Sequence, residues 1–390
     1  MTDEPSPAPD PTQAKTQQPL VLAVFVVFLL FVFLLGVNGL SEGFGVAGDR
    51  LLDSFFAVTE NPFIALMIGI LATALVQSSS VTTSMIVSLV AVPDNPLPIA
   101  NAIPMVMGAN IGTTVTNMIV SMAHIGRKEE FRRAFRVATC HDFFNVMAVA
   151  VLLPLELLTN YLQRTATALS SALTGIGGMD YDSPIKGLLK AALDPIKDLI
   201  GLTTASQQLA GIVLICLSGA MIFTALMLLV RTLRSALRTR VEMVVTRAFG
   251  RGAVIAMLIG LIVTAMVQSS SITTSLLVPL AGAGLITLEQ AFPITIGANI
   301  GTTVTALLAA LAATGQNAAA GITIALVHLL FNLSGTLLIY PVERIREIPL
   351  AAARWLADTA AESRRWAILW VLFFFYGIPA VFAVINNVLK

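Results

Sequence analysis

The order of apolar and polar residues divides the chain into long apolar runs separated by short charged stretches. Apolar residues fill positions 20–40, 137–158, 207–230, 318–340 and 367–388 almost without interruption. Each run reaches the roughly 20 residues that a helix needs to cross the hydrocarbon core of a membrane. The pattern therefore predicts an all-α, polytopic membrane protein.

Two further apolar runs are interrupted by polar residues near their centres. The run 62–92 is divided at Gln77–Ser80 into arms of about 15 and 12 residues, and the run 252–283 is divided at Gln268–Ser271. Because a helix rises 1.5 Å per residue, neither arm can span a core of about 30 Å. We therefore predict two re-entrant helical hairpins with polar tips, each covered by protein or lining a wet cavity.

The interrupted runs belong to an internal duplication. VQSSSVTTS at Val76–Ser84 returns as VQSSSITTS at Val267–Ser275, and HDFFN at His141–Asn145 is echoed by HLLFN at His328–Asn332. The nonapeptide GANIGTTVT begins at Gly108 and returns unchanged from position 297. One structural unit is therefore expected twice.

The nonapeptide lies within two stretches long enough to cross the membrane, at 98–123 and 286–312. Its two glycines and its asparagine open the middle of each stretch. We therefore predict a broken transmembrane helix in each repeat.

Arginine-rich stretches at 124–136, 231–251 and 342–365 indicate which loops are cytoplasmic. Placing all three inside gives seven crossings and a cytoplasmic N-terminus, with the side of the C-terminus left open. On this path the two repeats run in opposite senses, the inverted plan of secondary transporters. The predicted divisions are a disordered tail (1–18), repeat 1 (19–158), an extracytoplasmic amphipathic connection (159–206), repeat 2 (207–342), and an interfacial helix with a final transmembrane helix (343–390).

Composition agrees with a membrane protein and excludes some partners. The chain is 56% hydrophobic and 12% charged, about half the charge of a soluble domain. A net charge of +1 lacks the basic excess that nucleic-acid binding requires. Cys140 and Cys216 lie in apolar segments without metal-ligand spacing, so we expect both thiols to be free.

The hairpin tips and broken helices suggest a site for an anion. Serine is a preferred helix N-cap, and the first N–H groups of a helix lack internal partners and carry partial positive charge. Four half-helix N-termini are predicted to converge on one central region, which suits an anion without a buried lysine or arginine. The candidate anion-binding residues are Ser78, Ser79, Ser80, Thr113, Thr114, Ser269, Ser270, Ser271, Thr302 and Thr303.

Amide and hydroxyl oxygens in the same motifs suggest a monovalent cation such as sodium, because Mg²⁺ or Ca²⁺ would normally recruit carboxylates. The candidate sodium ligands are Gln77, Thr83, Asn110, Gln268, Thr274 and Asn299. A third polar group, with a gating or a structural role, is formed by His141, Asp142, Asn145, His328 and Asn332. Asp142 could also serve as a structural partner of Arg136.

Paired QSSS motifs, each followed by GANIGT, resemble the type II sodium-dependent phosphate cotransporter family in its short bacterial form. The resemblance covers roughly residues 60 to 340. It implies sodium-coupled symport of inorganic phosphate by alternating access across a bacterial cytoplasmic membrane, with these motifs forming the phosphate and sodium sites. It implies no cofactor beyond the transported sodium. The residues alone lead only to a small anion with a monovalent cation.

Three other hypotheses remain at this point. The protein could transport another small anion, or it could be an anion channel. An intramembrane serine hydrolase using His141 or His328 is disfavoured because the chain lacks G-x-S-x-G, so we do not expect an enzyme. We also expect no soluble regulatory domain of the kind that follows the membrane part in some bacterial relatives. Membrane lipids are expected partners, and the oligomeric state is left open.

Overall fold

The computed structural model describes residues 19–176, 184–248, 250, 252–313 and 317–389. All regular secondary structure in these residues is helical. The helices are α1 (Pro19–Ala47), α2 (Asp49–Thr59), α3 (Pro62–Val76), α4 (Ser79–Val90), α5 (Ile99–Gly112), α6 (Val115–Ser121), α7 (Lys128–Thr159), α8 (Tyr161–Ile176), α9 (Pro184–Thr203), α10 (Gln207–Ala248), α11 (Ala253–Val267), α12 (Ser270–Gly282), α13 (Leu288–Ala312), α14 (Ala318–Ile339), α15 (Glu343–Glu362), α16 (Arg364–Leu372) and α17 (Ile378–Leu389).

Seven helical segments in the described part of the chain are long and apolar enough to cross a membrane. Large apolar side chains on α1 and α10, such as Leu20, Phe28 and Met227, are exposed on the outer surface, where acyl chains would cover them. The prediction of an all-α polytopic membrane protein is therefore confirmed. The segments are Leu20–Ala47, Ile99–His124, Lys128–Thr159, Gln207–Leu237, Leu288–Ala312, Ala318–Ile339 and Arg365–Phe382.

Both predicted hairpins are present. The arms α3 and α4 contain 15 and 12 residues, and α11 and α12 contain 15 and 13. At 1.5 Å per residue these arms are roughly 18–23 Å long, shorter than a bilayer core. Each hairpin turns at its glutamine and first motif serine, between Val76 and Ser79 in one and between Val267 and Ser270 in the other.

The predicted helix break occurs in the first repeat and not in the second. Helix α5 ends at Gly112 and α6 begins at Val115, whereas α13 runs through its copy of GANIGTTVT without interruption. The prediction of a broken helix at 286–312 is therefore wrong. In the first repeat, Thr114 Oγ1 lies 3.2 Å from His141 Nδ1 on the neighbouring α7. The equivalent Thr303 hydroxyl instead donates to the Ile300 carbonyl inside its own helix.

The glycines of the nonapeptide allow close helix packing. A Cβ atom on Gly108 of α5 would lie 2.0 Å from the Leu66 carbonyl oxygen of α3, and one on Gly297 of α13 would lie 1.9 Å from the Met257 oxygen of α11. G-A-N-I-G is thus a G-x-x-x-G motif, which brings membrane helices into backbone contact. These glycines bring the first arm of each hairpin against its neighbouring helix, and α13 stays helical through both of them.

The second arm of each hairpin contacts the other repeat. Helix α4 packs against α13 and α14, while α12 packs against α6 and α7. Helices α1 and α10 lie side by side along the outside of this core, and α15 packs along α7. The second arm of each hairpin is therefore packed against helices of both repeats.

The connection between the repeats contains α8 and α9, and α8 packs on α14. The final segment contains α15, α16, a π-helical turn at Phe373–Gly377 and α17, which packs on α3. The predicted tail, residues 1–18, lies outside the described residues. Cys140 is buried and Cys216 is exposed, and both thiols are free as expected.

Candidate functional site

Each hairpin tip is built from one glutamine and one serine in matching conformations. Gln77 and Gln268 end the first arms with φ of 57° and 58°, the left-handed region that non-glycine residues rarely adopt. Ser78 and Ser269 follow as extended N-cap residues of α4 and α12. The Ser78 hydroxyl accepts a hydrogen bond from Val81 N–H, as the motif predicts, whereas Ser269 makes no side-chain cap bond. The turn thus places helix N-termini and amide side chains side by side.

The two tips are in contact. Ser80 Oγ on the first tip lies 3.4 Å from the Gln268 carbonyl oxygen and 3.4 Å from Thr305 Oγ1, both in the second repeat. Residues separated by almost 190 positions in the sequence therefore meet at one place. This contact brings the QSSS motifs together, as the sequence predicted.

The two glutamines make the same bonds in each repeat. Thr116 Oγ1 donates to Gln77 Oε1, and Thr305 Oγ1 donates to Gln268 Oε1, each at 2.9 Å. The amide nitrogens donate to the carbonyls of Ala74 and of its counterpart Ala265 at the ends of the first arms. Each tip is thereby bonded to the helix containing GANIGTTVT, and each amide oxygen keeps a second lone pair.

A cavity of about 430 Å³ lies beside the tips. It is far larger than the roughly 30 Å³ that one water molecule occupies. Polar residues from both motifs line it together with apolar residues of α10. The motif residues are Gln77, Ser78, Ser80, Gln268 and Ser269.

Several candidate ligands do not line this cavity. The hydroxyls of Thr113 and Thr302 donate to the carbonyls of Ala109 and Ala298, one turn earlier in their own helices. Ser79 and Ser270 are buried in the first turns of α4 and α12, where their carbonyls accept from the hydroxyls of Thr83 and Thr274. Ser271 lines a different cavity. Fewer than the four expected helix N-termini are present, because α13 does not begin at Thr302 and Thr303.

Thr274 also joins the two repeats. Its hydroxyl oxygen accepts a hydrogen bond from Asn117 Nδ2 at 2.8 Å, while its own proton goes to the Ser270 carbonyl. This bond ties the second arm of the second hairpin to α6 of the first repeat.

A cluster of buried asparagines connects the two GANIGTTVT helices with α7 and α14. Asn299 Nδ2 lies 2.8 Å from Asn145 Oδ1 and 2.7 Å from Asn332 Oδ1. Asn110 Oδ1 lies 3.4 Å from both Asn332 Nδ2 and His328 Nε2. The asparagines expected at the sodium site and those of the third polar group therefore form a single network across both repeats.

Asp142 is buried next to this network, and neither of its carboxylate oxygens has a hydrogen-bond partner among the described residues. The alternative of a pair with Arg136 is wrong, because Arg136 reaches Asp358 of α15 at 2.6 Å. The His141 ring makes hydrogen-bond contacts with Thr114 and Asn145. An unpartnered buried carboxylate is an attractive position for a cation.

Three polar contributors were missed in the sequence. Thr116 and Thr305 are the last residues of the duplicated nonapeptide, so the repeat itself contained a signal for them. Asn117 follows directly and has no polar counterpart, since position 306 is alanine. Only its contact with Thr274 identifies it.

The fold and the site define a helical polytopic membrane protein in which two duplicated hairpins meet at their polar tips, an arrangement suited to a secondary transporter. The profile of the family described as Na+/Pi-cotransporter matches residues 32–181 and 221–348. The chain belongs to this family.

Named relatives agree with this assignment. Sodium-dependent phosphate transport protein 2A of Ovis aries is 34% identical over 457 residues, covering 98% of this chain and 70% of the relative. Sodium-dependent phosphate transport protein 2B of Homo sapiens is 32% identical over 443 residues, covering 91% of this chain and 64% of the relative. The chain thus spans about two thirds of the length of these relatives. No solved structure matches it.

Proposed function

We propose that the protein is a symporter that couples the transport of inorganic phosphate to sodium. The observation that carries the proposal is the contact between the two QSSS tips, at Ser80 and Gln268, beside a cavity that both tips line. The family and the names of its members supply the identity of the two ions. The two tips could not form one solute site if they faced lipid or lay far apart.

Phosphate is assigned to the cavity at the tips. Helices α4 and α12 begin at this cavity, with Ser78 and Ser269 as their N-cap residues. Free N–H groups and the positive end of the helix dipole bind anions at such positions. Serine hydroxyls can donate to phosphate oxygens without themselves adding a fixed charge. We assign Ser78, Ser80 and Ser269 to direct contact, and Ser79 and Ser270 to the supporting turn.

Sodium is assigned to the amide oxygens of the tips, and Asp142 is a second candidate position. Gln77 and Gln268 line the tip cavity, and the amide oxygen of each accepts one hydrogen bond from the described residues. Asp142 adds a buried carboxylate beside the asparagine network. Uncharged amide oxygens suit a hard monovalent ion, whose charge would offset that of the entering phosphate. We assign a gating or structural role to four other members of this network, His141, His328, Asn145 and Asn332.

The transport cycle is proposed as alternating access around the tip site. The arginine-rich stretches favour a cytoplasmic N-terminus and two repeats of opposite orientation in a bacterial cytoplasmic membrane. Each hairpin is attached to its own repeat by glycine packing and to the other by tip contacts, so the tips can serve as the centre about which the halves move. The remaining divisions follow the repeats, with 159–206 as an extracytoplasmic connection and 343–390 as the terminal unit.

Phosphate uptake into proteoliposomes tests this proposal. We expect labelled phosphate to accumulate against its gradient only when a sodium gradient is present. Gln77→Ala and Gln268→Ala should each abolish accumulation, while Gln208→Ala, an exposed glutamine on α10, should leave it unchanged. Sodium-independent uptake would contradict symport. Fast flux without uphill accumulation would instead identify an anion channel, and sodium-driven uptake of a different anion would correct the substrate.

A further inference from the structure

Two arginines of α10 form part of the wall of the tip cavity. Arg231 and Arg234 lie one turn apart on the helix, across from Ser78 and Ser269. Apolar residues of α10, including Phe223 and Leu226, complete the same wall. The cavity therefore changes in character from a polar, uncharged end at the hairpin tips to a cationic end at α10.

A second cavity continues from the first. It has a volume of about 600 Å³, and it shares Arg234 and Ile272 with the tip cavity. Its lining includes Thr116, Ser271 and Ser275, together with Glu242 of α10. Because Arg234 borders both spaces, an ion leaving the tips in this direction passes its guanidinium group.

These two arginines differ from most other described arginines near the basic surface. Arg132 and Arg136 pair with Asp358, and Arg354 pairs with Glu289 and Glu347. Among the described residues, Arg231 and Arg234 form neither an ion pair nor a hydrogen bond, and both side chains are exposed. Because neither guanidinium group pairs with a carboxylate among the residues that the structure describes, both can bind a mobile anion.

We propose that Arg231 and Arg234 form an anion relay site between the hairpin tips and the cytoplasmic solution. This inference rests on the proposed function and on the cytoplasmic assignment of the arginine-rich end of α10. A guanidinium group binds two phosphate oxygens at once and cannot lose its charge at physiological pH. Its position at the junction of the cavities draws phosphate between the tips and water.

The two arginines belong to α10 and not to the hairpin tips, and this placement has a physical reason. A fixed cation at the tips would stabilise bound phosphate and slow its release, and it would be costly at mid-membrane depth. Cations that line a low-dielectric cavity raise the local concentration of anions and their association rate, by about 10 to 10³-fold in favourable cases. The tips then select the ion, and the arginines determine how easily it crosses the cytoplasmic side.

The test compares the two faces of the membrane. Phosphate KM is measured with the wild type and with the double variant Arg231→Gln/Arg234→Gln in inverted vesicles, which expose the cytoplasmic face, and in right-side-out vesicles. We expect KM at the cytoplasmic face to rise about tenfold, with little change at the opposite face. Raising the ionic strength from about 0.01 M to about 0.15 M shortens the Debye length from about 30 Å to about 8 Å. The wild-type KM at the cytoplasmic face should therefore rise with salt, and the KM of the double variant should not.

Two control variants complete the experiment. Arg240→Gln removes an exposed arginine of α10 that lines neither cavity, and it should change neither KM. Arg231→Lys/Arg234→Lys keeps both positive charges and the topology signal, and it should restore most of the cytoplasmic-face affinity. Equal KM changes at both faces, or none at the cytoplasmic face, would show that the arginines serve only topology or lipid contact. Absence of sodium-dependent phosphate transport in the wild type would instead refute the proposed function itself.

Discussion

The backbone at the hairpin tips provides a way to separate the stability of the fold from the chemistry of the site. Gln77 has φ of 57° and ψ of 26°, which costs a residue other than glycine about 1 kcal/mol. Replacing Gln77 with glycine removes this cost, while alanine retains it. Both substitutions remove the amide that bonds Thr116 and the Ala74 carbonyl.

The expected magnitudes follow from these contacts. Loss of two hydrogen bonds destabilises the folded state by about 2 kcal/mol, at about 1 kcal/mol each. In Gln77→Gly, relief of the left-handed strain offsets about half of this loss. In Gln77→Ala nothing offsets it, so we expect the alanine variant to be about 1 kcal/mol less stable than the glycine variant. Neither variant should transport phosphate, because neither has the amide oxygen.

Thermal unfolding of the detergent-purified variants, followed by size-exclusion chromatography, measures the first quantity, and sodium-driven phosphate uptake measures the second. Gln268, with φ of 58°, should give the same result. Asn160 is a useful control, because it is also left-handed, with φ of 53°, but ends α7 away from the tips. Asn160→Gly should keep full transport. An alanine variant as stable as the glycine variant would refute the strain argument, and transport by Gln77→Gly would refute the role of the amide.

Three further predictions concern packing, the polar network and the cation. Gly108→Ala should greatly reduce the yield of folded protein, because its Cβ would lie 2.0 Å from a carbonyl oxygen; Gly219→Ala, with its nearest atom at 3.7 Å, should express normally. Asn299→Ala should lower stability by about 2–4 kcal/mol, since two buried acceptors lose their donor; an unchanged unfolding temperature would argue against the network. Asp142→Asn should raise the sodium concentration needed for half-maximal uptake, and unaltered sodium dependence would exclude this carboxylate from the sodium site.

Most of the architecture follows from local patterns in the sequence. Arms of about 15 and 12 apolar residues around QSSS are too short to cross a bilayer, and the structure contains hairpins at these places. The seven spanning segments likewise follow from run length and composition. Both features depend on neighbouring residues along the chain, so they are encoded within single segments. The duplication then indicates that the two tips have related roles.

The orientation of the individual hydroxyls does not follow from the motif. Threonine can donate to its own helix, as Thr302 does, or to a neighbour, as Thr116 does. Both options have similar energies in a dry interior, so the choice depends on which acceptor the adjacent helix presents. The same reasoning applies to Arg231 and Arg234, which the sequence marks only as basic and which the packing of α10 places on the cavity.

The nonapeptide GANIGTTVT separates the two kinds of information most clearly. The sequence by itself determined that each copy lies in a buried, apolar segment beside a hairpin, because those properties depend on composition and spacing. Only the tertiary structure decided that one copy is interrupted and the other is a continuous helix. Nine identical residues cannot encode both outcomes. The difference comes from their surroundings: the Thr114 hydroxyl is hydrogen-bonded to His141 of α7, while the Thr303 hydroxyl donates to a carbonyl within α13.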